Sequence, residues 1–171
     1  MFNYCGKCLL LNKELSPHQC TKFDSQENED IIKLTKTKSL MKLKPNFEAK
    51  FFLEKKSNKG RTLLGLTDIY ENILDNDDGN VWTLVIGSGE KYSTEKKLEQ
   101  FLISDVNEGD AIFIRKNEGK LFFRINNDEY KLAYELNNDG DFFIYIENTN
   151  TKYPSKVNFI YIRDIDDEEK N

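Results

Sequence analysis

A chain of 171 residues with 38% apolar and 32% charged side chains is long enough for one domain with a small appendage, burying roughly two thirds of its unfolded surface. Twelve phenylalanines and eight tyrosines against nine glycines and three prolines exclude a disordered chain, and a net charge of −5 weighs against a general binder of nucleic acid. No run reaches the roughly 18 apolar residues of a membrane-spanning helix, and the start MFNYCGKC lacks the basic and apolar regions of a secretory signal, so an intracellular compartment, cytoplasmic or nuclear, is expected.

All three cysteines and the one histidine fall in the N-terminal segment, as Cys5, Cys8, His18 and Cys20 in the pattern C-x2-C-x9-H-x-C. Zinc takes thiolate and imidazole ligands in a closed tetrahedron, and such a site lets a segment too short for a core fold around the ion. One structural zinc on a finger at residues 1–22 is expected. A thioredoxin-like redox pair would follow a strand in a βαβ unit, whereas only Met1 to Tyr4 precede Cys5. A Cys-His nucleophile pair would need a third, orienting group that this segment does not supply.

Residues 23–30, FDSQENED, are acidic and without periodicity and read as a linker. Within Ile31 to Lys44 apolar and cationic residues mix in a mainly strand-like run that Pro45 stops. FEAKFFL at 47–53 and RTLLGL at 61–66 read as strands on either side of a turn at Ser57 to Gly60. From Lys33 to Arg61 cations outnumber acids, which makes either a solvated strand face or a patch for an acidic partner, a phosphoinositide or RNA.

The segment Asp68 to Asn80 reads as a polar loop, and Val81 to Ile86, VWTLVI, as a strand. Asp75 and Asp77 fit the first positions of a calcium loop, but Gly79 stands where the third ligand belongs. Gly87-Ser88-Gly89 is too short for a phosphate loop. Ser93 to Gln100, STEKKLEQ, is the best helical stretch. Ala111 to Arg115 and Lys120 to Ile125 form a β-hairpin around Lys116 to Gly119, with glycine in the left-handed position and a tight turn at Gly109-Asp110 in front. Strands follow at Tyr130 to Leu136, Phe142 to Glu147 and Val157 to Ile165, and residues 166–171 form an acidic tail. Strands at this spacing predict a mainly β fold, an antiparallel sandwich over residues 31–165.

Several of these pieces carry a resemblance. Phe47 to Thr67, then GEKYS at 89–93, then Gly109-Asp110 opening the hairpin with Asn126 near its end, then Tyr153-Pro154 and Val157, in that order and spacing, resemble a SPRY domain. The resemblance spans about Ile31 to Ile165 and implies a bent β-sandwich without catalytic machinery that binds peptides or protein surfaces through loops at one end. The N-terminal finger is similar to a shortened B-box or RING-type element, as found before SPRY domains in tripartite-motif proteins. A RING holds two ligand sets and this segment has one, so ligase activity is not implied.

The expected function is therefore an intracellular protein-interaction adaptor recognising a protein or peptide, with the finger as a second contact. Tyr70, Asp77, Trp82 and Tyr92 are the candidate partner-binding residues, as they lie in or beside the loops of one edge. A lone tryptophan in an apolar strand equally suits the core. The alternatives are an RNA-, DNA- or acidic-lipid-binding protein using the finger and the basic stripe, and a structural subunit of a larger assembly. An enzyme is not expected, because His18 is better used on zinc and no acid-base pair, activated nucleophile or cofactor motif remains.

Overall fold

The computed structural model describes residues 36–38 by backbone alone, and 42–68, 79–95, 98–136, 140–149 and 154–165 in full. The finger, the linker, the acidic tail and the interior of the Asp68–Asn80 loop lie outside them. Among the described residues there is no helix, and eleven strands form two antiparallel sheets. The first sheet joins β1 (Lys36–Lys38), β10 (Phe143–Asn148), β3 (Thr62–Thr67), β4 (Val81–Ile86), β5 (Glu90–Ser93) and β6 (Glu99–Gln100) in that order. The second joins β11 (Lys156–Asp164), β2 (Phe47–Lys55), β7 (Ala111–Asn117), β8 (Lys120–Ile125) and β9 (Lys131–Glu135).

Alternation along β2 decides which face of the second sheet is buried. Phe47, Ala49, Phe51 and Leu53 point inward at no more than 1% exposure. There they meet Ile112 and Ile114 of β7, Leu121 and Phe123 of β8, and Leu64, Leu66, Trp82 and Leu84 of the first sheet. Aromatic edges interlock in this core, as in the T-shaped pair Phe51 and Phe159, 5.6 Å between centroids. Polar ties cross between the sheets, among them the Tyr134 hydroxyl donating to the Thr83 carbonyl (2.9 Å) and the Lys91 ammonium to the Ala133 carbonyl (3.1 Å).

β3 and β4 are mainly apolar and are buried at every position, the threonines Thr62, Thr67 and Thr83 included. Their far face carries a second small cluster of Leu63, Val81, Val85 and Tyr145. Gly65 sits in that face between Tyr145 and Thr83, and a Cβ there would press on the Trp82 carbonyl and lie 2.7 Å from the Thr83 Cα. Only glycine lets the two strands approach this closely.

The hairpin β7–β8 forms where expected, with a tighter turn than its sequence implies. Asn117 pairs with Lys120, and Glu118 (φ 49°) and Gly119 (φ 72°) both take the left-handed conformation that a two-residue turn of this hand requires. Its open end is locked by side chains. Asn126 donates to the Asp110 carboxylate (2.8 Å) and accepts from the Ala111 amide through its own side-chain oxygen (2.9 Å).

The expected helix at Ser93 to Gln100 is not formed at its described residues. Ser93 pairs with Trp82 at the end of β5, and Glu99 and Gln100 pair with Lys91 and Glu90 as β6. A helix this short has too few hydrogen bonds to offset its nucleation, and the sheet edge takes its backbone groups instead. No helix among the described residues is long and apolar enough to cross a membrane.

Candidate functional site

The four proposed zinc ligands, Cys5, Cys8, His18 and Cys20, lie outside the described residues, as do Tyr70 and Asp77. Among the described residues no group of three or more histidine, cysteine, aspartate or glutamate side chains is placed to hold a metal. Trp82 and Tyr92 are described, and they lie on opposite faces of the first sheet. Trp82 points into the core, 7% exposed, its ring 5.8 Å from that of Phe142. As a surface contact it is corrected to a packing residue, because Leu66 and Ser93 flank it on the inner side of β4. Tyr92 pairs with Thr83 on the other face and packs half-buried against the small outer cluster.

The mouth of the Asp68–Asn80 loop is closed by a clamp. Asn80 donates its amide and its side-chain nitrogen to the two Asp68 carboxylate oxygens (2.8 and 3.0 Å), and the Asp68 amide donates to the Asn80 carbonyl (3.3 Å). The Thr94 hydroxyl donates to the Asn80 side-chain oxygen (3.2 Å), which brings the segment after Tyr92 beside this loop. Other turns gather at the same end. Phe143 opposite Thr67 places the start of β10 there, the Leu43 amide donates to the Phe142 carbonyl, and the Glu118 amide donates to the Asn46 side chain (3.1 Å). The described ends of the Asp68–Asn80 loop and the segment after β5 therefore lie side by side, whereas Tyr92, expected in a turn, stands within β5 and Trp82 lies in the core.

A second constellation covers the outer face of the β11-β2-β7-β8-β9 sheet. Glu48, 2% exposed, lies between Arg163 of β11 and Arg115 of β7. One carboxylate oxygen accepts from the Tyr161 hydroxyl (2.8 Å) and Arg163 Nε (3.1 Å). The other accepts from Arg115 Nη2 (2.9 Å) and the Tyr130 hydroxyl. Burial by itself would raise the Glu48 pKa. The hydrogen bonds from Tyr130, Tyr161 and Arg115 and the charge of Arg163 outweigh it and bring the carboxyl down to about 2. The same burial, with the carboxylate as acceptor, pushes the Tyr130 and Tyr161 hydroxyls upward.

This carboxylate is a hub: four donors from β7, β11 and the residue before β9 share its two oxygens. It holds Arg115, Arg163, Tyr130 and Tyr161 in place. Arg115 and Arg124 lie over the Tyr130 ring, 4.2 and 4.6 Å from its centroid. Arg124 also lies 3.8 Å over Phe113, with the Lys50 ammonium 5.2 Å from the same ring. Sequence reasoning missed this group. The available signal was a single acid, Glu48, at an outward position of a strand whose inward positions are all apolar.

Part of the basic stripe is paired. Lys42 pairs with Asp141, Lys44 with Asp164 (3.5 Å) and Lys56 with Asp105 (3.6 Å), so three of its ten cations meet acids from distant segments.

No family model and no curated protein matches the chain. Solved structures do. A carbohydrate-binding module, CBM66 from Bacillus subtilis, is 11% identical over 74% of this chain and 78% of its own, with a TM-score of 0.44. An uncharacterized protein from Mycobacterium paratuberculosis is 12% identical over 75% and 72%, with a TM-score of 0.45. The SPRY domain of human HERC1 is 18% identical over 76% of this chain and 82% of its own, with a TM-score of 0.56. The described chain is thus a two-sheet antiparallel β-sandwich whose fold is similar to that of a SPRY domain.

Proposed function

We propose that the chain is a protein-interaction adaptor that recognises a protein or peptide through the loops at one end of its sandwich, at Asp68–Asn80 and around Tyr92. The clamp of Asp68, Asn80 and Thr94 carries this reading: it anchors a polar loop to a rigid, fully packed frame, so the loop's surface can vary without disturbing the fold. The likeness of fold to a SPRY domain supports it. The reading is non-enzymatic. A pull-down from the source cells identifies the partner, and variants then locate its contact.

Tyr70→Ala is expected to weaken that partner by roughly 1 to 4 kcal/mol, the range of an interface hot spot, with the thermal midpoint unchanged. Tyr92→Ala is expected to weaken it and to lower the midpoint as well, since the ring packs on the outer cluster. If both variants and a substituted Asp68–Asn80 loop keep full affinity, while neutralising lysines between Lys33 and Lys59 abolishes it, the loops are not the site. A nucleic-acid or acidic-lipid reading then takes its place.

The finger adds a second contact in this proposal, held by one structural zinc on Cys5, Cys8, His18 and Cys20. Its support is the donor set, three thiolates and one imidazole in a short segment. Elemental analysis of protein purified without chelator is expected to find one zinc per chain, and a content of none or two refutes the site.

A further inference from the structure

Cross-strand register arranges the outer face of the β11-β2-β7-β8-β9 sheet in two adjacent rows. Leu132, Phe122, Arg115, Glu48 and Arg163 form one, and Arg124, Phe113, Lys50 and Tyr161 the other. The two rows carry four cations and one carboxylate on a chain whose net charge is −5, and the next acid outward along β2, Glu54, is paired with Lys156. Glu48 engages Arg115 and Arg163. Lys50 and Arg124 contact only aromatic rings among the described residues, Phe113 for the lysine and Phe113 with Tyr130 for the arginine.

A guanidinium in contact with two rings is restrained before any ligand arrives, which lowers the entropy lost when it grips a carboxylate. Arg124 Nε is covered and has no acceptor, so its terminal nitrogens are the donors left for a partner. Phe52, next outward residue of β2 after Lys50, is 37% exposed, and Leu132 at the far end of the first row is 44% exposed. Successive outward residues of a strand stand about 7 Å apart, the repeat of alternate side chains in an extended peptide.

We infer that this sheet face is a second binding surface, separate from the loop end, for an acidic peptide segment of a partner protein, with Arg124 and Lys50 binding its carboxylates. Phe52 and Leu132 receive the apolar side chains beside them. A continuous polyphosphate suits the face less well, because the exposed Phe52 and Leu132 offer it only apolar contacts, whereas a peptide can set an apolar side chain against each.

The test measures fluorescence anisotropy of a labelled peptide repeating Glu-Ser-Leu-Ser, which sets glutamate and leucine two residues apart on one face of an extended chain, its Lys-Ser-Leu-Ser counterpart, and a labelled single-stranded oligouridylate. The intact protein is expected to bind the acidic peptide and not the basic one. Arg124→Gln and Lys50→Gln are each expected to weaken it about tenfold, the loss of one charge-assisted contact. Lys50 is half-exposed, so its variant decides the matter where Arg124→Gln lowers the thermal midpoint. The inference is overturned if the acidic peptide does not bind, if both variants bind it as the parent does, or if oligouridylate displaces the peptide and loses affinity in the same variants. The loop end's partner is absent from these mixtures, so their outcome is independent of the loop reading.

Discussion

Replacing Glu48 with alanine is expected to destabilise the fold by about 3 to 5 kcal/mol, the usual loss when one member of a buried, hydrogen-bonded charge group is removed. Arg115, Arg163, Tyr130 and Tyr161 would all lose their shared acceptor, and Arg115 and Arg163 would repel across the vacated position. Glu48→Gln retains one acceptor oxygen and should fall between alanine and the parent. Denaturant titration reads both. A loss under about 1 kcal/mol for alanine would mean that water replaces the carboxylate without penalty. The same hub predicts acid sensitivity. The folded carboxyl titrates near 2 and the unfolded one at its ordinary 4.5, so the unfolded chain takes up the proton first on acidification. The hub's contribution is whole above about pH 4.5 and is lost as pH falls from there through about 2. The Glu48→Gln variant should lack that part of the acid transition.

Trp82→Ala is expected to cost about 3 to 5 kcal/mol, the range for removing a large aromatic from a packed core. Its indole fills the space between the sheets beside Phe142, and the strands around it are held in register on both sides, which limits collapse into the cavity. Trp82→Phe should recover much of the loss. Thermal and denaturant unfolding decide the point: a parent-like stability for alanine would place the ring outside the core, where a partner contact becomes its remaining role.

Strands and hairpin were legible because their signals are local. The alternation of Phe47, Ala49, Phe51 and Leu53 marks a half-buried strand, and Glu118-Gly119 marks a turn, whatever the rest of the chain does. The edge strand at Glu99–Gln100 was not, since its identity depends on pairing with Glu90 and Lys91 rather than on its own helix-favouring residues. Glu48 was less legible still. Its four donors come from β7, the residue before β9, and β11, and a one-residue slip in any pairing would turn a donor to the other face. From sequence alone it is one acid inside a cationic run. Trp82 was left between two roles because an apolar strand with a loop before it says nothing about which sheet face is covered.

The pairing of β11 with β2 sets an order of events during synthesis. Glu48 and Arg163 stand 115 positions apart, whereas β7 and β8 are joined by two residues, so the hairpin can close early and β11 only after nearly all the described chain exists. Until then β2 carries the run FEAKFFL with one side unpaired, a template on which another nascent chain can add a strand. A product halted before Lys156 would keep that side bare. When β11 docks it covers the hazard and becomes the new margin itself, with irregularities at Lys156/Val157 and Phe159/Tyr161 that bend the strand and make it a poor surface for further growth.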